Sequence, residues 1–192
     1  MGRYGIIGMV LVASVLLLAS PAFAQESNNE LQKKNQSLVV LACTLAMAIA
    51  GIASAIGISI GGISAAAVTA EKPEVFSRVL ILEMLPMTQT IYAFIASVLL
   101  LMGAGLLGGK ASMDLLNPTI GNSAIFVGLL IGLTGLSAIN QGLIASAGIT
   151  ATGRNPSVAG RGIMLAVMPE TIAIFGFLVG LLIMVLGLKI LG

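Results

Sequence analysis

Residues 168–177 read MPETIAIFGF and set a single carboxylate, Glu170, inside an apolar run that lasts from residue 158 to residue 191. An acidic side chain at the centre of a membrane helix costs about 2.5–3.5 kcal/mol on insertion scales. Such a residue marks an ion or proton path, or it is an acid kept protonated and hydrogen-bonded as packing. The run itself exceeds the ~20 residues that span a bilayer as helix. Three more apolar runs precede it, at 37–69, 75–107 and 120–152, and the charge clusters fall between them. Runs this long lack the alternation and turn spacing of a membrane barrel. The pattern predicts an all-α membrane protein with four transmembrane helices.

Composition agrees. Of 192 residues, 58% are hydrophobic and 8% charged, and the mean hydropathy is +1.11. The 24 glycines, with no tryptophan, suit helices that approach closely where lipid supplies no hydrophobic drive to associate. A net charge of +2 carried by scattered basic residues gives no nucleic-acid footprint. No histidine and one cysteine, Cys43, leave no disulfide framework, no zinc site and no Cys/His nucleophile pair. Cys43 reads as a small packing residue.

At the N-terminus, Arg3, an apolar run from residue 6 to 18, and the small residues Ala22 and Ala24 form a signal-peptide pattern with cleavage after Ala24. An uncleaved fifth helix is the alternative. The chain therefore divides into a signal peptide over 1–24, a polar tail over 25–36, a first transmembrane hairpin over 37–107, an extracytoplasmic loop over 108–119 and a second hairpin, carrying Glu170, over 120–192. Lys72, Arg78, Arg154 and Arg161 lie in the two hairpin turns, and basic residues favour the cytoplasmic side. That puts the mature N-terminus, the middle loop and the C-terminus outside the cell membrane.

A constant offset of 83 residues superimposes the halves without a gap: Ser54 on Ser137, Pro73 on Pro156, Arg78 on Arg161, Pro86 on Pro169, Thr88 on Thr171 and Phe94 on Phe177. The protein is a duplicated helical hairpin whose copies start on the same side, so the repeats are parallel. Parallel repeats suit a ring built by rotation. Ala46, Ala50, Ala53, Gly57, Gly61 and Ala65 share one face of the first helix, and Gly128, Gly132, Gly135, Gly142 and Gly148 make a looser seam on the third.

Gln141 and Glu170 each lie 14 residues from the Asn155–Pro156 turn, about 21 Å along a helix, which places both at one depth near mid-membrane. The offset carries Glu170 onto Met87, so the first hairpin has no acid there. Beside Met87, however, Leu85, Thr88, Gln89 and Tyr92 share a face of the second helix at i, i+3, i+4, i+7. Thr88 and Gln89 offer oxygens, and Tyr92 a hydroxyl that can donate to a carboxylate. Pro86 removes a backbone donor and leaves the Leu82 carbonyl without its helical partner. A carboxylate, two amide oxygens, a hydroxyl and a loosened carbonyl suit a hard cation, Na⁺, whereas a proton needs only the carboxylate. Interhelical hydrogen bonding alone is the plainer reading of Thr88, Gln89 and Gln141. Glu83 maps onto Ala166 and is not the missing partner of Glu170. It either makes a structural hydrogen bond or serves ion access.

Three motifs together, LPMTQTIYAF (85–94), INQGLIASAGI (139–149) and MPETIAIFGF (168–177), resemble the proteolipid (c or K) subunit of V-type and A-type rotary ATPases, over residues 37–192. The resemblance implies that Na⁺ is held by Glu170, Gln141, Thr88, Gln89 and the carbonyl of Leu85, with Tyr92 steadying Glu170. It implies a ring of identical copies in the lipid, a stator membrane subunit with an essential arginine, and a central-stalk subunit seated on the cytoplasmic loops. It also implies that ATP chemistry lies on other subunits, with no catalytic residue and no organic cofactor here. Outside Na⁺ transport, the readings are an H⁺-translocating rotor, a small proton-coupled secondary transporter and a structural membrane oligomer.

Overall fold

The computed structural model describes residues 28–191. Among the described residues, four helices are long and apolar enough to cross a membrane: α1 (Asn28–Glu71), α2 (Pro73–Gly103), α3 (Ile120–Arg154) and α4 (Pro156–Gly187). Each of the five prolines in the described residues marks a start or a break. Pro73 and Pro156 open α2 and α4 in single 3₁₀ turns, where a missing N–H costs nothing. Pro86 lies inside a 3₁₀ turn at Leu85–Met87, its mate Pro169 between the regular segments Ala159–Val167 and Glu170–Leu182, and Pro118 just ahead of α3. α1 contains no proline and runs unbroken for 44 residues, about 66 Å at 1.5 Å per residue, far more than a ~30 Å hydrocarbon core.

The helix ends differ from the sequence expectation at two places. The polar residues 28–36 belong to α1 rather than to a tail, because Asn35 and Gln36 find partners. Asn35 Nδ2 donates to the carbonyls of Leu115 at 2.8 Å and Asn117 at 3.0 Å, and Gln36 Nε2 to that of Ala104 at 3.1 Å. α2 stops at Gly103, four residues short of the apolar run, as Gly105, Gly108 and Gly109 take positive φ that other residues rarely adopt. The signal peptide over 1–24 and the start of the tail lie outside the described residues.

α1 packs against both halves of α3 and against α2, and α4 packs against the same two helices. Every member of the α1 seam named above is buried, as are the five glycines of α3. The reason is contact between backbones. A methyl group built on Gly57 would overlap the Ala138 carbonyl, one on Gly142 the Gly57 carbonyl, and one on Gly128 the Ala42 carbonyl. Lower down, Ser64 and Ser146 meet oxygen to oxygen at 2.6 Å. At the turn, Arg78 donates to the Pro156 carbonyl at 3.1 Å and Lys72 to that of Gly153 at 2.7 Å. The two hairpins are thus held in one register from end to end.

Candidate ion-binding site

Three helices bring the polar side chains to one place. Pro86 and the 3₁₀ turn around it set the phase of α2, so that Gln89 and Tyr92 point toward α3 and α4. On α3, Gln141 stands next to Gly142, where α1 and α3 touch backbone to backbone. On α4, Pro169 precedes Glu170, which opens the regular segment Glu170–Leu182.

The groups form one continuous hydrogen-bonded chain. Thr88 Oγ1 lies 3.0 Å from the Leu85 carbonyl and 3.2 Å from Gln89 Oε1. Gln89 Nε2 donates to Gln141 Oε1 at 2.7 Å, and Gln141 Nε2 to Glu170 Oε2 at 3.3 Å. Tyr92 donates its hydroxyl to Glu170 Oε1 at 2.7 Å, its ring stacked on Phe177 with centroids 5.5 Å apart. Gln141 is 0% exposed, Gln89 1% and Glu170 8%. Buried amides without partners would cost about 1–3 kcal/mol each, and here each has one. The carbonyl that joins the network is that of Leu85, which also accepts the backbone N–H of Thr88, rather than the Leu82 carbonyl expected from Pro86 alone.

Glu83 lies apart from this network. Its Cα and Cγ lie over Gly61 and its carboxylate over Gly62 of α1, in a groove lined also by Ala65, Ala66, Thr69, Ala70 and Phe76. Sequence reasoning did not find the direct Gln89–Gln141 link, nor the buried hydroxyls of Ser54 and Ser137, which have no partner among the described residues. The common offset of the two serines was the available signal. Among the described residues there is no cluster of three His, Cys, Asp or Glu side chains. One carboxylate and several neutral oxygens match a single positive charge rather than a divalent ion.

Residues 41–100 and 125–183 each match the family model for the ATP synthase C subunit. The chain belongs to this family. It is a duplicated proteolipid of the V/A type, and the two matched stretches are the two hairpins. The A-type ATP synthase subunit K of Methanocaldococcus jannaschii is 35% identical over 185 residues, covering 96% of this chain and 73% of the relative. The V-type sodium ATPase subunit K of Enterococcus hirae is 37% identical over 153 residues, 79% of this chain and 93% of the relative. Membership separates the proteolipid from a small secondary transporter.

Proposed function

We propose that this proteolipid is the rotor-ring subunit of a V/A-type ATPase and carries Na⁺ on Glu170. The observation that carries the reading is the convergence of oxygens around one acid: Glu170, Gln141 Oε1, Gln89 Oε1, Thr88 Oγ1 and the Leu85 carbonyl all belong to one connected network. A proton would need none of the last four. The sodium ATPase relative named above supports the same choice. An arriving cation takes the oxygens that the amide N–H groups now satisfy. The Gln141–Glu170 link, at 3.3 Å, is long for a hydrogen bond and is the first to give way. Tyr92, anchored by Phe177, keeps the carboxylate in place while the ion comes and goes.

Bound Na⁺ neutralises Glu170, and a neutral site can turn through lipid. An empty, charged site must stay beside a positive group on the stator, for which an arginine is the chemical fit. Rotation is in this way tied to occupancy. Copies of the chain form the ring, and the turns around Lys72–Arg78 and Arg154–Arg161 seat it on a central stalk on the cytoplasmic side, with the mature termini outside the cell membrane. ATP hydrolysis belongs to soluble partners. One acid per four helices means few ions per turn, so each ATP can drive each ion against a larger potential, at ~2.3 kcal/mol per charge per 100 mV.

The test is labelling of the purified ring by a hydrophobic carbodiimide across a pH series, with and without Na⁺, and mapping by mass spectrometry. Labelling confined to Glu170 and suppressed by Na⁺ is expected. Labelling of Glu170 that ignores Na⁺ would mean a proton rotor, and labelling at Glu83 instead would sink the site.

A further inference from the structure

A serine or threonine inside a helix can satisfy its hydroxyl without help, by donating to the carbonyl four residues back. Thr44, Ser59, Ser97, Thr134, Thr150 and Thr152 all do so, at 2.7–3.0 Å. Ser54 on α1 and Ser137 on α3 do not. They are only 3% and 8% exposed, and neither hydroxyl has any partner among the described residues. Buried polar groups are hydrogen-bonded almost without exception, so two that forgo the bond within reach of their own helix call for another partner.

Packing sets the two serines on facing turns. A methyl group built on Gly135 would stand 3.0 Å from the Ala50 Cβ, and one built on Gly57 would overlap the Ala138 carbonyl. Ser54 lies between Ala50 and Gly57, and Ser137 between Gly135 and Ala138. The backbone is unusual on both sides of the pair. The Ala50 carbonyl, four residues behind Ser54, is approached by Thr90 Oγ1 at 3.4 Å. On α3 the regular segments Ile120–Thr134 and Ser137–Arg154 meet at a break that contains no proline. There the N–H groups of Leu136, Ala138 and Ile139 reach back three residues, to Leu133, Gly135 and Leu136, at 3.0–3.2 Å. The Thr134 carbonyl thereby loses its usual helical donor, Ala138, to Gly135. A break that no proline forces is a place where a water enters the helical ladder.

We propose that Ser54 and Ser137 hold one buried water molecule that bridges α1 to α3, with the Thr134 carbonyl as its third partner. Buried waters make about 2–4 hydrogen bonds, to groups that would otherwise have none, and these three supply that number. All three are uncharged, which suits a neutral molecule rather than a second cation. The close contacts on either side leave room for nothing larger. The bridge has a task in the fold, because Ser137 stands one turn ahead of Gln141 on α3. It pins the first turn after the break, the turn that leads into Gln141. No group of the network around Glu170 takes part, so the water site goes beyond the ion reading and stands whether Glu170 carries Na⁺ or H⁺.

A double-mutant cycle on the purified protein tests the bridge. Both hydroxyls serve one water, so S54A and S137A are each expected to lower the thermal midpoint. The S54A/S137A double variant is expected to lower it by about as much as one single, not by the sum. Unchanged or raised midpoints, the result of deleting hydroxyls that hold nothing, would overturn the proposal. Additive losses would overturn it too, since they mean that each hydroxyl serves a separate partner. A density map of the wild-type protein, at a resolution that shows buried water, reads the site directly even where a variant fails to fold. A peak about 2.6–3.0 Å from both serine oxygens is expected. No peak there, or a peak on one serine alone, would overturn the bridge.

Discussion

Glu170 is legible as a functional residue because a buried acid in an apolar run is expensive, but its partners carry no such signal singly. Gln141 is the residue through which the network passes, accepting from Gln89 and donating to Glu170. Gln141→Ala removes one of the proposed ligand oxygens and strands two buried groups, at about 1–3 kcal/mol. The expected result is a ~10–100-fold loss of Na⁺ protection against carbodiimide labelling, since 1.4 kcal/mol is tenfold. Tyr92→Phe keeps the ring on Phe177 and loses only the hydroxyl. A net loss of about 1 kcal/mol, or roughly five- to tenfold in Na⁺ concentration for half-protection, is expected. Glu83→Gln touches none of these contacts and leaves that concentration within about twofold. A larger shift would place Glu83 on the ion path after all.

At the scale of the helix, glycine spacing decides how near α1 lies to α3, and this nearness sets the position of Gln141. Gly57→Val would drive a side chain into the Ala138 carbonyl and Pro86, neither of which can yield as a flexible side chain would. Overpacking of this kind costs ~1–3 kcal/mol or more. The expected outcome is a lower thermal midpoint for the purified protein together with weakened Na⁺ protection, because the backbone shift is transmitted to its neighbour Gly142. Asn35→Ala acts at the opposite end. It strands the Leu115 carbonyl and the Gly121 N–H and removes one of the two donors to the Asn117 carbonyl, so the loop over 104–119 is expected to be cut faster by protease while Na⁺ protection stays unchanged. The seam was visible in the sequence as a row of small residues. Asn35 was not, because polar residues ahead of an apolar run look the same whether they are solvated or anchor a loop.

For the whole molecule, the 83-residue repeat does not make the hairpins equivalent, since the buried Leu82 and Gln89 have the exposed mates Leu165 and Ile172. Orientation is a property at this scale too. A cysteine at Ser157, in the α3–α4 turn, is expected to resist a membrane-impermeant maleimide in intact cells and to react after permeabilisation, whereas one at Lys110 reacts from outside. The reverse pattern would invert the topology.

Four spans and their duplication were legible in the sequence alone, since hydropathy and a constant offset are properties of one dimension. The tertiary structure decided which polar atoms meet. Helix phase after Pro86 turns on a single 3₁₀ turn, and each residue of error rotates a side chain by about 100°. The Leu85 carbonyl, which the family resemblance implies, lies in the network for that reason, although the missing donor at Pro86 by itself points to Leu82. The Gln89–Gln141 link follows from the same phase, combined with an approach of α1 to α3 that only packed backbones define.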